Sequence, residues 1–229
     1  MHREKPLRTN WLDVRNDPSF AKPYWGYEDI GIFSLILVLL TPVLRLLVRF
    51  HLLMASDLTH PSAGLQGWVI GFLNIALYSV LKLRHHEPVL RPLGWVLPSR
   101  RYGMAAVITG TSLAAAVTIY LHWQRQRPTA IPALEFLILG VVLGPILEES
   151  LFRGCLLPLI ATSTGDIVAV VFTAVLFALF HGPTNLEHWV CLTVAGIAYG
   201  WLRVASHSTT TAAVTHATYN LFLVLLASN

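Results

Sequence analysis

The sequence is poor in charge. Asp, Glu, Lys and Arg make up 12% of its 229 residues, where soluble domains carry about 25%. That shortage, with 55% apolar residues and a mean hydropathy of +0.60, excludes disorder, a nucleic-acid-binding tail and an ordinary soluble enzyme. Cysteine is scarce as well: Cys155 and Cys191 stand alone, both in apolar runs. Two isolated thiols build neither a disulfide framework nor a cysteine zinc site, and they read as buried and inert. No HExxH occurs, so the helical zinc-protease signature is missing. The first 29 residues are polar and no short apolar stretch follows Met1, so no cleavable signal peptide is expected. Repeats, heptads and low-complexity tracts are also lacking.

What the chain does have is long uncharged stretches. A helical span takes roughly 20 apolar residues. Runs beginning near Ile30, Leu58, Tyr102, Leu134, Ile167, His188 and Val204 supply about seven, within a range of six to eight. The predicted fold is therefore all-α, a polytopic membrane helix bundle. Residues 1–29 form a polar N-terminal segment, and 30–229 form one integral membrane domain. Basic residues set the orientation. With the N-terminus inside, eleven Lys and Arg flank the cytoplasmic face and four (Arg45, Arg49, Arg125 and Arg127) flank the other, which favours a cytoplasmic N-terminus.

Ionisable groups inside apolar spans are expensive, and each is a functional hypothesis. Three sites qualify. In LEESLFRG, Leu147–Gly154, Glu149 and Arg153 are four apart on one helical face and can pair. Glu148 is turned about 100° away and is left for chemistry. Gly144 and Pro145, just before, could kink the helix and open room beside it. In FALFHG, His181 ends an apolar helix with Phe177 one turn back; alone this also suits a helix-end histidine. In THATYN, His216 and Asn220 share one face of the last helix. They suit a helix–helix hydrogen-bond pair or two donors aimed at an oxyanion. One difficulty accompanies these positions. A span ending at Leu157 puts Glu148 in the cytoplasmic half of its helix and His181 near the far end of the next, so a kink or shifted boundaries must bring them together.

EExxxR at Glu148–Arg153, FxxxH at Phe177–His181 and HxxxN at His216–Asn220, in that order on successive helices, resemble the CAAX protease and bacteriocin-processing family of intramembrane peptidases. The resemblance covers residues from about 133 to 229. It implies a helical bundle around an internal polar cavity. It also implies a glutamate-dependent mechanism in which Glu148 is the general base and holds the attacking water with His181. His216 and Asn220 then form the oxyanion hole, and Glu149 and Arg153 support the site. No cofactor is implied; a zinc-dependent variant would take Glu148, His181 and His216 as ligands. The implied activity is endoproteolysis near the C-terminus or membrane anchor of a membrane-associated protein or peptide, prenylated CAAX-type or a C-terminal sorting signal. The small extramembrane mass suits a prokaryotic cell membrane. Two readings compete: a non-enzymatic immunity or scaffold protein, and a proton-coupled carrier with Glu148 and His181 as relay.

Overall fold

The computed structural model describes residues 23–49, 63–123, 137–182 and 185–227. These form seven helices, and no strand occurs among the described residues. They are α1 Tyr27–Arg49, α2 Ala63–His85, α3 Arg100–Trp123, α4 over 137–164, α5 Asp166–Phe180, α6 Leu186–Ser206 and α7 Thr209–Ala227. By length and composition, Arg100–Tyr120 and Leu186–Ser206 could each cross a bilayer. The expected basic flanks within 1–22, and Arg125 and Arg127, lie outside the described residues.

The largest departure from the sequence reading is α4. The apolar run gives a span ending at Leu157, but the helix runs on to Thr164. It does so by widening. Two π-wound stretches, Leu139–Leu143 and Ser150–Leu156, interrupt it. Each stretch ends on a hydrogen bond that skips back five residues, Gly144 N–H to Leu139 O and Leu157 N–H to Phe152 O. A proline follows at once in both cases, Pro145 and Pro158. Proline has no N–H and its ring crowds the carbonyl four residues back; a wider turn relieves both problems without breaking the rod. The longer helix also removes the depth difficulty. The chain reverses at Gly165, which has φ +82. Glu148 lies 17 residues before Gly165 and His181 lies 16 after it, so antiparallel α4 and α5 bring them to one level.

The bundle has two unlike ends. One holds the start of α1, the end of α2, the 86–99 connection, and the α4–α5 and α6–α7 turns. Lys82, Arg84, Arg91, Arg100, Arg101 and Arg203 all sit there. Side chains from the connection seal it. Leu93 is fully buried, Thr209 Oγ1 donates to Leu93 O, and Ser208 Oγ donates to Val96 O. Trp95 Nε1 donates to Ser150 Oγ at 3.1 Å, tying the connection to α4. Ahead of α1, Trp25 is 3% exposed and donates to Cys155 O at 3.1 Å, a carbonyl within the second wide stretch of α4. Asp29, fully buried at its side chain, accepts from Arg84 Nε at 2.6 Å and pairs with His85 Nε2 at 3.0 Å.

Two details depart from expectation here. Arg203, read as a cytoplasmic flanking charge, is 7% exposed and donates to Thr209 Oγ1 at 3.0 Å. Cys155 is buried as expected, whereas Cys191 is only half-buried. On the far side of the core α3 lies tight against α7. A Cβ at Gly110 would stand 2.5 Å from Thr215 O, so only glycine permits that approach. The contact fixes the part of α7 that carries His216.

Candidate active site

Five helices, α2 and α4 to α7, converge on a cavity of about 280 Å³. Glu148, His181, His216 and Asn220 all line it, with Gly140, Gly144, Phe177 and Tyr199. The structure thus brings together the four residues singled out in the sequence, although 72 positions separate the first from the last.

Glu149 and Arg153 form the floor. Both are fully buried, with Nη1 to Oε1 at 3.1 Å. The guanidinium is held on three sides. Its Nη2 donates to Gly196 O at 2.8 Å. It also lies 4.7 Å from the centre of the Phe177 ring and 5.2 Å from that of Tyr199. Gly196 is required here: a Cβ would meet Ala174 at 3.0 Å and Arg153 Nη2 at 3.2 Å. Such a pair is costly to break, because either partner alone is a buried charge.

Glu149 does more than pair with Arg153. Its Oε1 also accepts from His216 Nδ1 at 2.9 Å. That bond fixes the imidazole so that Nε2 turns toward Glu148, 3.9 Å from Oε2. Tyr199 stacks on the same ring, centres 4.8 Å apart and planes 18° apart. His181 is fixed in a matching way. Its Nδ1–H donates to Phe177 O at 2.8 Å, one turn back across the helix end. The tautomer this sets leaves the Nε2 lone pair facing Glu148 Oε2 at 4.0 Å. Phe177, 1% exposed, packs edge-on against both imidazoles, at 4.7 Å from His181 and 5.7 Å from His216. It walls the site as well as packing the core.

Glu148 therefore has two imidazole nitrogens near one oxygen, both beyond direct hydrogen-bond reach. Separations near 4 Å suit one bridging water better than direct contact. Its Oε2 is buried and has no hydrogen-bond partner among the described residues. The same is true of Glu149 Oε2, Arg153 Nε and the Tyr199 hydroxyl. Buried polar atoms without partners are rare and ask for an explanation; these four lie in or beneath one cavity.

Two placements modify the sequence reading. Asn220 Nδ2 donates to Gly140 O at 2.6 Å, a carbonyl in the first wide stretch of α4, so one of its two amide hydrogens is taken. His216, read as an oxyanion donor, has Nδ1 committed to Glu149 and only Nε2 free to face a substrate. Tyr199 was missed. Nothing in the pattern GIAYGW sets this tyrosine apart from a packing aromatic; only the fold brings it onto His216. As for zinc, ligand bonds of about 2.1 Å put tetrahedral ligand atoms roughly 3.4 Å apart. The Glu148–histidine separations exceed that, and no group of three His, Cys, Asp or Glu among the described residues has metal-holding geometry. As placed, these residues do not fit the ion.

Residues 129–222 match the family described as Type II CAAX prenyl endopeptidase Rce1-like. The match covers the whole constellation and places this segment in the CAAX protease and bacteriocin-processing family, a membrane-embedded protease family. No curated protein and no solved structure matches the chain.

Proposed function

Taking the Rce1-like segment 129–222 as the premise, we propose that this protein is an intramembrane endopeptidase that uses Glu148 to activate water. The observation that carries the proposal is the convergence of Glu148 Oε2 with His181 Nε2 and His216 Nε2 at 4.0 and 3.9 Å in a cavity lined by all four singled-out residues. A water there donates one hydrogen to Glu148 and the other to the His181 lone pair, which aims its own lone pair at the scissile carbonyl. As the carbon–oxygen bond forms, the proton passes to Glu148. Collapse of the tetrahedral intermediate returns it to the departing nitrogen.

Charge balance assigns His216. Glu149 is matched by Arg153. Glu148 as carboxylate then needs one further cation, and His216 as imidazolium supplies it. In that state its Nε2–H is a donor that, with the second Asn220 amide hydrogen, faces the developing oxyanion. A neutral His216 would offer only a lone pair.

The seven helices then serve as seven membrane crossings, with the N-terminus cytoplasmic. The exposed apolar faces of the helices, such as Ile167, Val168, Val171 and Phe172 of α5, meet lipid instead of water. The substrate is a membrane-associated protein cut near its C-terminus or anchor, and no metal takes part. Comparing the termini of membrane proteins in cells with and without the wild-type protein tests the reading. New termini that depend on the protein support it, and an unchanged set contradicts it. Recovery of a chelated, inactive enzyme by zinc would replace it with a metalloprotease of the same site.

A further inference from the structure

Among the described residues, the cavity is covered at one end of the bundle by the 86–99 connection, while Gly140 and His181 on its other side are exposed, and charge distinguishes the two ends. Of its lining residues Tyr199 and His216 are buried, each seven residues along its helix from the α6–α7 turn at the sealed end. Leu93 is fully buried in that seal and Trp25 is 3% exposed. The outer lining residues are Ile70, Gly140, His181 and Leu192. Each lies near the terminus of its helix at the opposite end, and His181, with its side chain 31% exposed, sits at the α5–α6 turn itself. Six Lys and Arg among the described residues occupy the sealed end, against Arg45 and Arg49 toward the far end of α1. Around the α5–α6 turn the only described charge is Glu187, which is exposed.

We infer that the mouth of this cavity faces the extracytoplasmic side, so that the polypeptide reaching Glu148 is an exported, membrane-tethered one. Basic residues near span ends stay on the cytoplasmic side, and acidic residues contribute little to orientation. The sealed end is thereby cytoplasmic, and a carboxyl-terminal segment presented from the cytosol meets the 86–99 connection before it can meet Glu148. A segment lying at the outer surface passes between α2, α4 and α7 beside Gly140 and Asn220. The substrate part of this inference rests on the proteolytic reading; the sidedness does not.

Cysteine labelling in intact cells tests it without a substrate. In a full-length Cys191→Ser background, with buried Cys155 left in place, Glu187→Cys reports the mouth and Ser99→Cys the sealed end; both residues are exposed. His188→Cys and Leu97→Cys form a second pair should either variant fail to accumulate. A membrane-impermeant maleimide should label Glu187→Cys in intact cells as fully as after permeabilisation, and Ser99→Cys only after permeabilisation. The reverse pattern, labelling of both in intact cells, or protection of both would each overturn the inference. If labelling comes out as expected but no protein-dependent termini appear, the proteolytic reading fails and the sidedness stands. Termini that arise only in cytosolic segments would overturn the substrate class.

Discussion

At the sealed end of the bundle polar groups are tied to partners across long stretches of chain: Asp29 with Arg84 and His85, Trp25 with Cys155 O, Thr209 with Leu93 O. Around the cavity such bonds also occur, from His216 to Glu149 and from Asn220 to Gly140 O, but unpartnered atoms gather there, whereas the sealed end has Thr211 Oγ1. Four buried side-chain atoms, on Glu148, Glu149, Arg153 and Tyr199, have no partner among the described residues. A bond made within the fold contributes stability, while a donor or acceptor left unmade beside a cavity is available to a reacting molecule. The sealed end is thus built to hold the helices in place, and the cavity end to work on something else. Substitutions in the two regions should separate stability from activity.

The floor of the cavity belongs to both regions, so breaking it should have the largest effect. Arg153→Leu leaves Glu149 buried and unmatched, which costs roughly 3–5 kcal/mol. It should lower both accumulation and melting temperature, measured by thermal unfolding in detergent, along with activity. A variant as stable as wild type would show that the pair is not structural. Next comes Asn220→Ala. Removing one oxyanion donor typically costs about 100- to 1,000-fold in rate, so cleavage should fall within that range but stay measurable. Unchanged cleavage would confine Asn220 to bracing Gly140 O.

Asp29 offers the contrast at the sealed end. Asp29→Asn weakens bonds to Arg84 and His85 and should cost about 1–3 kcal/mol, with the activity of the folded fraction intact. The group lies just ahead of the apolar run that begins at Ile30. Burial presses its carboxyl up, but the Gly26 N–H, His85 and Arg84 outweigh that and hold it below the ordinary 3.8. Its stabilisation is therefore complete above pH 3.8 and is lost as pH falls through the lower folded value. Stability measured against pH should show a weaker acid limb in Asp29→Asn, and identical limbs would contradict this. The smallest effect is expected of Tyr199→Phe. Its hydroxyl has no partner to lose, so thermal stability should not change. A fall in kcat at constant KM would then show that the hydroxyl serves the transition state.

Much of the site was legible because a carboxylate or imidazole in an apolar helix stands out. Glu148, His181, His216 and Asn220 needed only spacing and family resemblance to be chosen, and i,i+4 spacing was enough to pair Glu149 with Arg153. Three things were not legible. The continuation of α4 past Pro158 depends on two wide turns, which no period in the sequence announces. The bond from His216 to Glu149 joins residues 67 apart and changes what His216 can donate. Tyr199 gains its place only from the packing of α6 on α5 and Arg153 at Gly196, which sets its ring on His216 of α7. Helix number was read well, whereas the end of α4 was displaced by seven residues, from Leu157 to Thr164, since apolar loops and helix termini look alike in composition.

The measurement closest to the central claim is a comparison of wild type with Glu148→Gln at equal folded abundance. The exchange nearly preserves volume and removes only the proton acceptor. Membrane-protein termini and the thermal unfolding midpoint would be recorded for both. The expected result is that protein-dependent termini vanish in Glu148→Gln while its midpoint stays within error of wild type. Termini that persist in the folded variant would contradict the assignment of Glu148 as the base that activates water.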